Sequence, residues 1–218
     1  MKTVDGESWL EGREVLHRST KNGGLLVRLD EGRVAKVFPS KGWILGWARI
    51  LRGSTKAHKQ ARSMRRLREL GITTPEPEEV VCFTPRSGGF EGALVYEYVG
   101  EAADLRKMLP GGSSADLMQK LAEDLVTMAK GGVLFVDLNP GNVLVMPDGN
   151  LCWIDAEVVE GAEQVRKNLW NRVLRMRRKG LMPDLTDDEW MNFCRSLDGA
   201  LADPESFEGR PAGMGQDS

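Results

Sequence analysis

The chain has 218 residues, 41% hydrophobic and 28% charged, with a net charge of −2. That suits one globular domain or two small lobes sharing a cleft. Three isolated cysteines (Cys82, Cys152 and Cys194) form no CxxC pair and no even-numbered framework, so they read as core thiols of a reducing compartment. The first residues, MKTVDGESWLEG, hold no apolar signal region, and no apolar run approaches the length that spans a bilayer.

The charge is unevenly placed. Residues 32–68 contain eleven Lys or Arg and no acidic residue. A basic block of that length points to an anionic partner: a phosphorylated glycolipid, a membrane face or nucleic acid.

In chain order, residues 14–19, 25–29 and 33–38 read as three strands joined by the turns Thr20-Lys21-Asn22-Gly23-Gly24 and Asp30-Glu31-Gly32. Lys36 lies in the third, within Val34-Ala35-Lys36-Val37-Phe38. Residues 41–53 place Trp43, Ile44, Trp47, Ile50 and Leu51 on one helical face, with Lys41, Arg49 and Arg52 towards its edges. This fits either a small packed helix or an interfacial helix with Trp at headgroup depth. Residues 55–70 form a basic helix with a stripe of Ala57, Ala61, Met64, Leu67 and Leu70, stopped by Gly71. Strands at 80–84 and 93–99 flank the turn Pro85-Arg86-Ser87-Gly88-Gly89.

Residues 114–130 form an amphipathic helix with Leu117, Leu121, Leu125 and Met128 inside, Ser113 or Ser114 as cap and Gly131-Gly132 as stop. Two apolar strands, 133–136 and 142–146, then flank the turn Asp137-Leu138-Asn139-Pro140-Gly141. The turn Pro147-Asp148-Gly149 leads to a third strand ending at Asp155. Asp137, Asn142 and Asp155 thus sit at the ends of buried strands, which suits oxygen ligands of a hard cation such as Mg²⁺. The plainer reading is two tight hairpins with Asp and Asn as turn residues. Residues 161–179 form a basic helix with Val165, Leu169, Val173 and Met176 inward, ended by Pro183. Thr186-Asp187-Asp188-Glu189 caps a final helix bearing Trp190, Phe193, Cys194, Leu197 and Leu201, and 203–218 reads as a disordered tail.

The Asp137/Asn142/Asp155 spacing resembles the protein-kinase-like phosphotransferases. Within them the chain is similar to the bacterial lipopolysaccharide kinases, the Kdo/heptose (WaaP-like) family. Three segments carry this likeness: Gly71-Ile72-Thr73-Thr74-Pro75-Glu76-Pro77, Asp137-Leu138-Asn139-Pro140-Gly141-Asn142-Val143-Leu144, and Asn168-Leu169-Trp170-Asn171-Arg172-Val173-Leu174-Arg175. The resemblance implies an α+β, protein-kinase-like, two-lobed fold. Residues 1–99 would form a lobe of antiparallel sheet and helix, and 100–202 a reduced, mainly helical lobe with the catalytic hairpin.

It implies ATP and Mg²⁺ as cofactors. Asp137 would be catalytic, orienting or deprotonating the acceptor hydroxyl. Asn142 and Asp155 would hold metal, Lys36 would pair with the α/β-phosphates, and Glu97 and Val99 would meet the adenine edge through their backbone. The acceptor would be a sugar hydroxyl of an anionic glycolipid, the lipopolysaccharide inner core. The protein would be cytoplasmic and peripheral on the inner-membrane surface, and not a nucleic-acid binder.

Three positions depart from the family pattern. Gln60 stands where a Glu would pair with the strand lysine, Phe135 replaces a His, and Ala156 replaces an aromatic. They keep two alternatives open: a non-catalytic kinase-like scaffold, and a RIO-like or small-molecule kinase.

Overall fold

A computed structural model describes residues 3–20, 23–40, 42–85, 89–109, 114–182 and 185–201. Lys21, Asn22, Lys41, most of the turn at 85–89, Ser113, Pro183 and the tail at 203–218 lie outside the described residues, as do the side chains of Ser114 and Val165. The chain divides into two compact units: 1–66 with 75–100, and 67–74 with 101–218.

The first unit is built on a five-stranded antiparallel sheet. Helix α1 (Gly6–Leu10) precedes β1 (Val15–Arg18), β2 (Leu25–Arg28) and β3 (Arg33–Pro39). Then come α2 (Trp43–Leu51), α3 (Lys56–Glu69), β4 (Pro77–Cys82) and β5 (Phe90–Glu97). The strand order is β1-β2-β3-β5-β4. Alternate residues point to alternate faces of a strand. Leu25 and Val27, Ala35 and Val37, and Ala93 and Val95 therefore gather on one face, closed by Val81, Phe83 and Trp9. Strand β5 begins at Phe90, earlier than the sequence pattern suggests, because Gly92 continues the pairing opposite Phe38 and Cys82. A Cβ at Gly92 would stand 2.4 Å from the Val81 carbonyl oxygen, so only glycine fits there.

Glu91, beside that glycine, is fully buried. Its carboxylate accepts from the Lys56 backbone N–H at 2.7 Å and from Arg49 Nη1 at 3.3 Å. A charge placed so satisfies one backbone donor at the first turn of α3, complements the positive end of that helix's dipole and pairs with a cation of α2. Thr55 adds its hydroxyl, which accepts from the His58 N–H. One carboxylate on β5 therefore fastens both α2 and α3.

The second unit holds β6 (Ala103–Asp104), α4 (Leu105–Met108), α5 (Ser114–Lys130) and β7 (Val133–Phe135). A 3₁₀ turn at Pro140–Asn142 separates β7 from β8 (Val143–Val145). Strands β9 (Leu151–Trp153) and β10 (Val158–Glu160) and helices α6 (Ala162–Arg178) and α7 (Asp187–Leu201) complete it. Short ladders join β7 to β10, and β6 to β8 to β9. The buried stripe of α5, with Leu117, Leu121, Leu125 and Met128, is the one its periodicity predicts. Thr186 and Glu189 form the reciprocal cap of α7, at 2.8 Å and 3.2 Å.

Trp153 is the hub of this unit. It has no solvent exposure, and its ring lies 5.0 Å from that of Phe135. Its Nε1–H donates to Asp124 on α5 at 2.6 Å. Its backbone N–H donates to the Thr73 carbonyl at 2.9 Å, and its carbonyl accepts from the Thr74 hydroxyl at 2.7 Å. The Gly71–Pro77 stretch singled out by sequence is thus pinned to β9 through Thr73 and Thr74.

Candidate active site

The loop after β7 sets the stage. Asn139 accepts from the Gly141 N–H at 3.0 Å through its own side chain, and Pro140 fixes the first position of the 3₁₀ turn. This turn takes up Asn142, which the sequence pattern had placed in the strand. Its side chain is therefore free to point back: Nδ2 donates to the Asp137 carbonyl at 3.0 Å.

Two backbone bonds then bring the third residue in. The Ile154 N–H donates to the Asn142 carbonyl at 2.9 Å, and the Val136 N–H donates to the Glu157 carbonyl at 2.7 Å. Asp155 lies between those two ties. Asp137, Asn142 and Asp155 therefore project from one small knot of backbone in the second unit, with both aspartates exposed.

Asp155 has φ of +55°, the sole non-glycine with positive φ among the described residues. Asp tolerates the left-handed region better than most residues, yet the conformation costs energy and persists where surroundings impose it. Such strain gathers at functional positions.

Two cations flank the loop, and sequence reasoning gave neither a role. Arg172, on α6, donates from Nη1 to the Val136 carbonyl, one residue before Asp137. Its Nε is buried with no hydrogen-bond partner among the described residues. Burial pushes this guanidinium below the usual arginine range, the neighbouring Arg175 acts the same way, and the negative charge of Asp137 opposes both. Arg106, on α4, lies against Gly141: a Cβ there would come within 3.0 Å of Nη2. A basic helix face reads as solvated surface from sequence alone, so only the fold distinguishes Arg172 from its neighbours on α6.

The remaining expected residues lie in the first unit. Lys36 is half-buried on β3, opposite Leu26 and Leu94, on the sheet face away from the Val27–Val95 core. Its Nζ stands 5.7 Å from the centre of the Phe38 ring. Glu97 ends β5 opposite Arg33, on the strand that pairs with β3. The backbone N–H groups of Glu97 and Tyr98 donate to Glu76 at 3.4 Å and Gly32 at 2.8 Å, and Val99 follows half-buried. Gln60 is buried on α3. Phe135 and Ala156, the other departures, are both buried, the former against Trp153.

Among the described residues no three His, Cys, Asp or Glu side chains gather closely enough to hold a metal ion. One carboxylate with an amide oxygen suits Mg²⁺ differently. That ion keeps several waters and is commonly held by one or two carboxylates together with substrate phosphates. Asn142 and Asp155 fit that donor set.

No family model matches the chain. It is similar to the 3-deoxy-D-manno-octulosonic acid kinases of Vibrio vulnificus strains CMCP6 and YJ016. Each is 29% identical over 126 residues, which is 57% of this chain and 50% of the relative. The chain thus spans about half the length of the curated relatives it matches. Among solved structures, WaaP in complex with acyl carrier protein matches with a TM-score of 0.57 at 17% identity, over 84% of this chain and 77% of that one. A 2.2 Å crystal structure of WbdD matches with a TM-score of 0.50 at 16% identity, over 89% and 48%. The fold is therefore that of WaaP, in line with the α+β, kinase-like architecture expected from sequence. The sequence likeness is to proteins named as 3-deoxy-D-manno-octulosonic acid kinases.

Proposed function

We propose that the chain is an ATP-dependent phosphotransferase acting on a sugar hydroxyl of the lipopolysaccharide inner core, with 3-deoxy-D-manno-octulosonic acid or a heptose as acceptor. The observation that carries this reading is the backbone knot that gathers Asp137, Asn142 and the strained Asp155. The named relatives supply the acceptor class.

On this reading Asp137 orients the acceptor hydroxyl and takes its proton as that oxygen attacks the γ-phosphorus. The new O–P bond forms as the bond to the bridging oxygen of ADP breaks. Asn142 and Asp155 would hold the metal, which when bound would neutralise charge on the phosphates. Lys36 pairs with the α/β-phosphates, and the backbone of Glu97 and Val99 receives the adenine. The protein contributes mainly position and charge to such a transfer. The acceptor is an anionic glycolipid, so a peripheral position on the inner membrane follows. Among the described residues no helix is long and apolar enough to cross a membrane.

The test is transfer of labelled phosphate from ATP to purified inner-core glycolipid with Mg²⁺. Asp137→Ala and Asp155→Asn should each abolish it, with melting temperature little changed because both side chains are exposed. Full activity in Asp137→Ala would remove that residue from the chemistry. Transfer to a soluble acceptor alone would favour a small-molecule kinase.

One observation favours a second reading. The buried Gln60 offers no charge where a partner for Lys36 is expected. A kinase-like scaffold without activity would then show no thermal stabilisation by millimolar ATP with Mg²⁺.

A further inference from the structure

Helix α2 packs by one side only. Its inner side is fixed at three points. Ile50 is 1% exposed. Gly46 sits against Pro85, so closely that a Cβ would meet the ring at 2.9 Å. Arg49 reaches the buried Glu91. The outer side carries Trp43, Ile44, Leu45 and Leu51, exposed by 59%, 73%, 55% and 78%. Elsewhere among the described residues, large exposed hydrophobics occur singly, at Val15, Met108, Val159 and Met191. Four on one nine-residue helix form a patch, and a contiguous exposed apolar patch marks an interaction surface.

The structure corrects the sequence-based wheel on two counts. Ile50 turns inward while Leu45 turns out. Arg49 is held by Glu91 rather than offered to a partner. Among the described residues, cations at the surface sit at the carboxyl end: Arg52 is exposed, and Arg62 donates to the Gly53 carbonyl at 2.9 Å, which places its guanidinium there too. No acidic residue between positions 32 and 68 neutralises them.

We propose that the outer face of α2 docks the protein on an anionic lipid bilayer. Aliphatic side chains with flanking Trp and Arg, on a helix anchored by its opposite side, match the layering of a membrane interface. There apolar groups enter the acyl boundary, indoles lie at headgroup depth and guanidinium groups meet lipid phosphates. A protein partner is disfavoured by size, since a stable interface buries about 800 Å² on each side and one face of a nine-residue helix is smaller. Nucleic acid would match the cations but not the aliphatic surface. The surface lies outside the residues assigned to phosphate transfer, so it stands or falls separately from that assignment.

The experiment is co-sedimentation of the full chain with vesicles of phosphatidylglycerol and phosphatidylethanolamine, or of phosphatidylcholine alone. The wild type should sediment with the anionic vesicles, and added salt should release part of it. Ile44→Ser combined with Leu51→Ser should weaken partitioning at least tenfold while leaving the melting curve in place. Arg52→Gln should weaken it about fivefold. No sedimentation of the wild type, or undiminished sedimentation of the double variant, overturns the proposal. A wild-type dimer that the double variant dissolves, without vesicle binding, overturns it in favour of a second copy of the chain.

Discussion

Arg172 donates to the carbonyl of Val136, so a cation on α6 grips the backbone one residue before Asp137. A loop that must present a carboxylate to within a fraction of an ångström benefits from such a clamp. Arg172→Met should lower kcat about ten- to hundredfold with KM for ATP little changed, since misplacement by about 1 Å can cost a hundredfold. Arg172→Lys should recover part of the loss. Steady-state kinetics of the two variants decide it, and a raised KM at constant kcat would mark Arg172 as a nucleotide contact instead.

Glu91 is a buried acid that joins two helices to one strand. Glu91→Ala leaves the first turn of α3 and the half-buried Arg49 without their acceptor. The expected loss is about 3 kcal/mol, read as a shift of the urea midpoint. Glu91→Gln, which keeps an acceptor for the Lys56 N–H, should lose less.

Asp124 makes stability depend on pH. Burial raises its pKa above the ordinary carboxylate value, the bond from Trp153 opposes this, and the nearby Glu123 adds to it. A raised folded-state pKa means the folded chain holds this proton more tightly than the unfolded chain. The stability it contributes is complete below the unfolded value and fades as pH rises through the folded one. Asp124→Asn keeps an oxygen for the Trp153 indole and removes the titration. Between pH 3 and 7 the wild type should therefore lose stability relative to this variant. A parallel pair of urea midpoints across that range would contradict the assignment.

The three thiols should be inert while the chain is folded. All are buried, and burial with the nearby Asp198 pushes Cys194 up to about 11, against a smaller opposing effect of Arg177. Thiolate is the reactive form, so a disulfide reagent at pH 8 should react only after denaturant is added. Rapid labelling of the native chain would show that one of these sites opens.

Local pattern sufficed wherever neighbours in sequence decide the outcome. The stripe of α5, the cap of α7 and the turns around Asp137 and Asp148 depend on residues within one or two turns of each other, and the sequence displays them. Distant partnerships were hidden. Nothing near Glu91 announces that its mate is Arg49, 42 residues earlier. Nothing within α6 separates Arg172 from the other arginines around it. The wheel of α2 described an amphipathic helix correctly, yet could not say which arc meets the sheet; the smallness of Gly46 settled that by drawing Pro85 in.

Trp153 carries a practical consequence. Its indole is sealed from water and hydrogen-bonded to a carboxylate on helix α5. Shielded indoles emit at shorter wavelength than wetted ones. A variant retaining Trp153 and replacing the other tryptophans by phenylalanine would carry its own optical gauge of whether β9, α5 and the Thr73-Thr74 link stay assembled, without any attached dye.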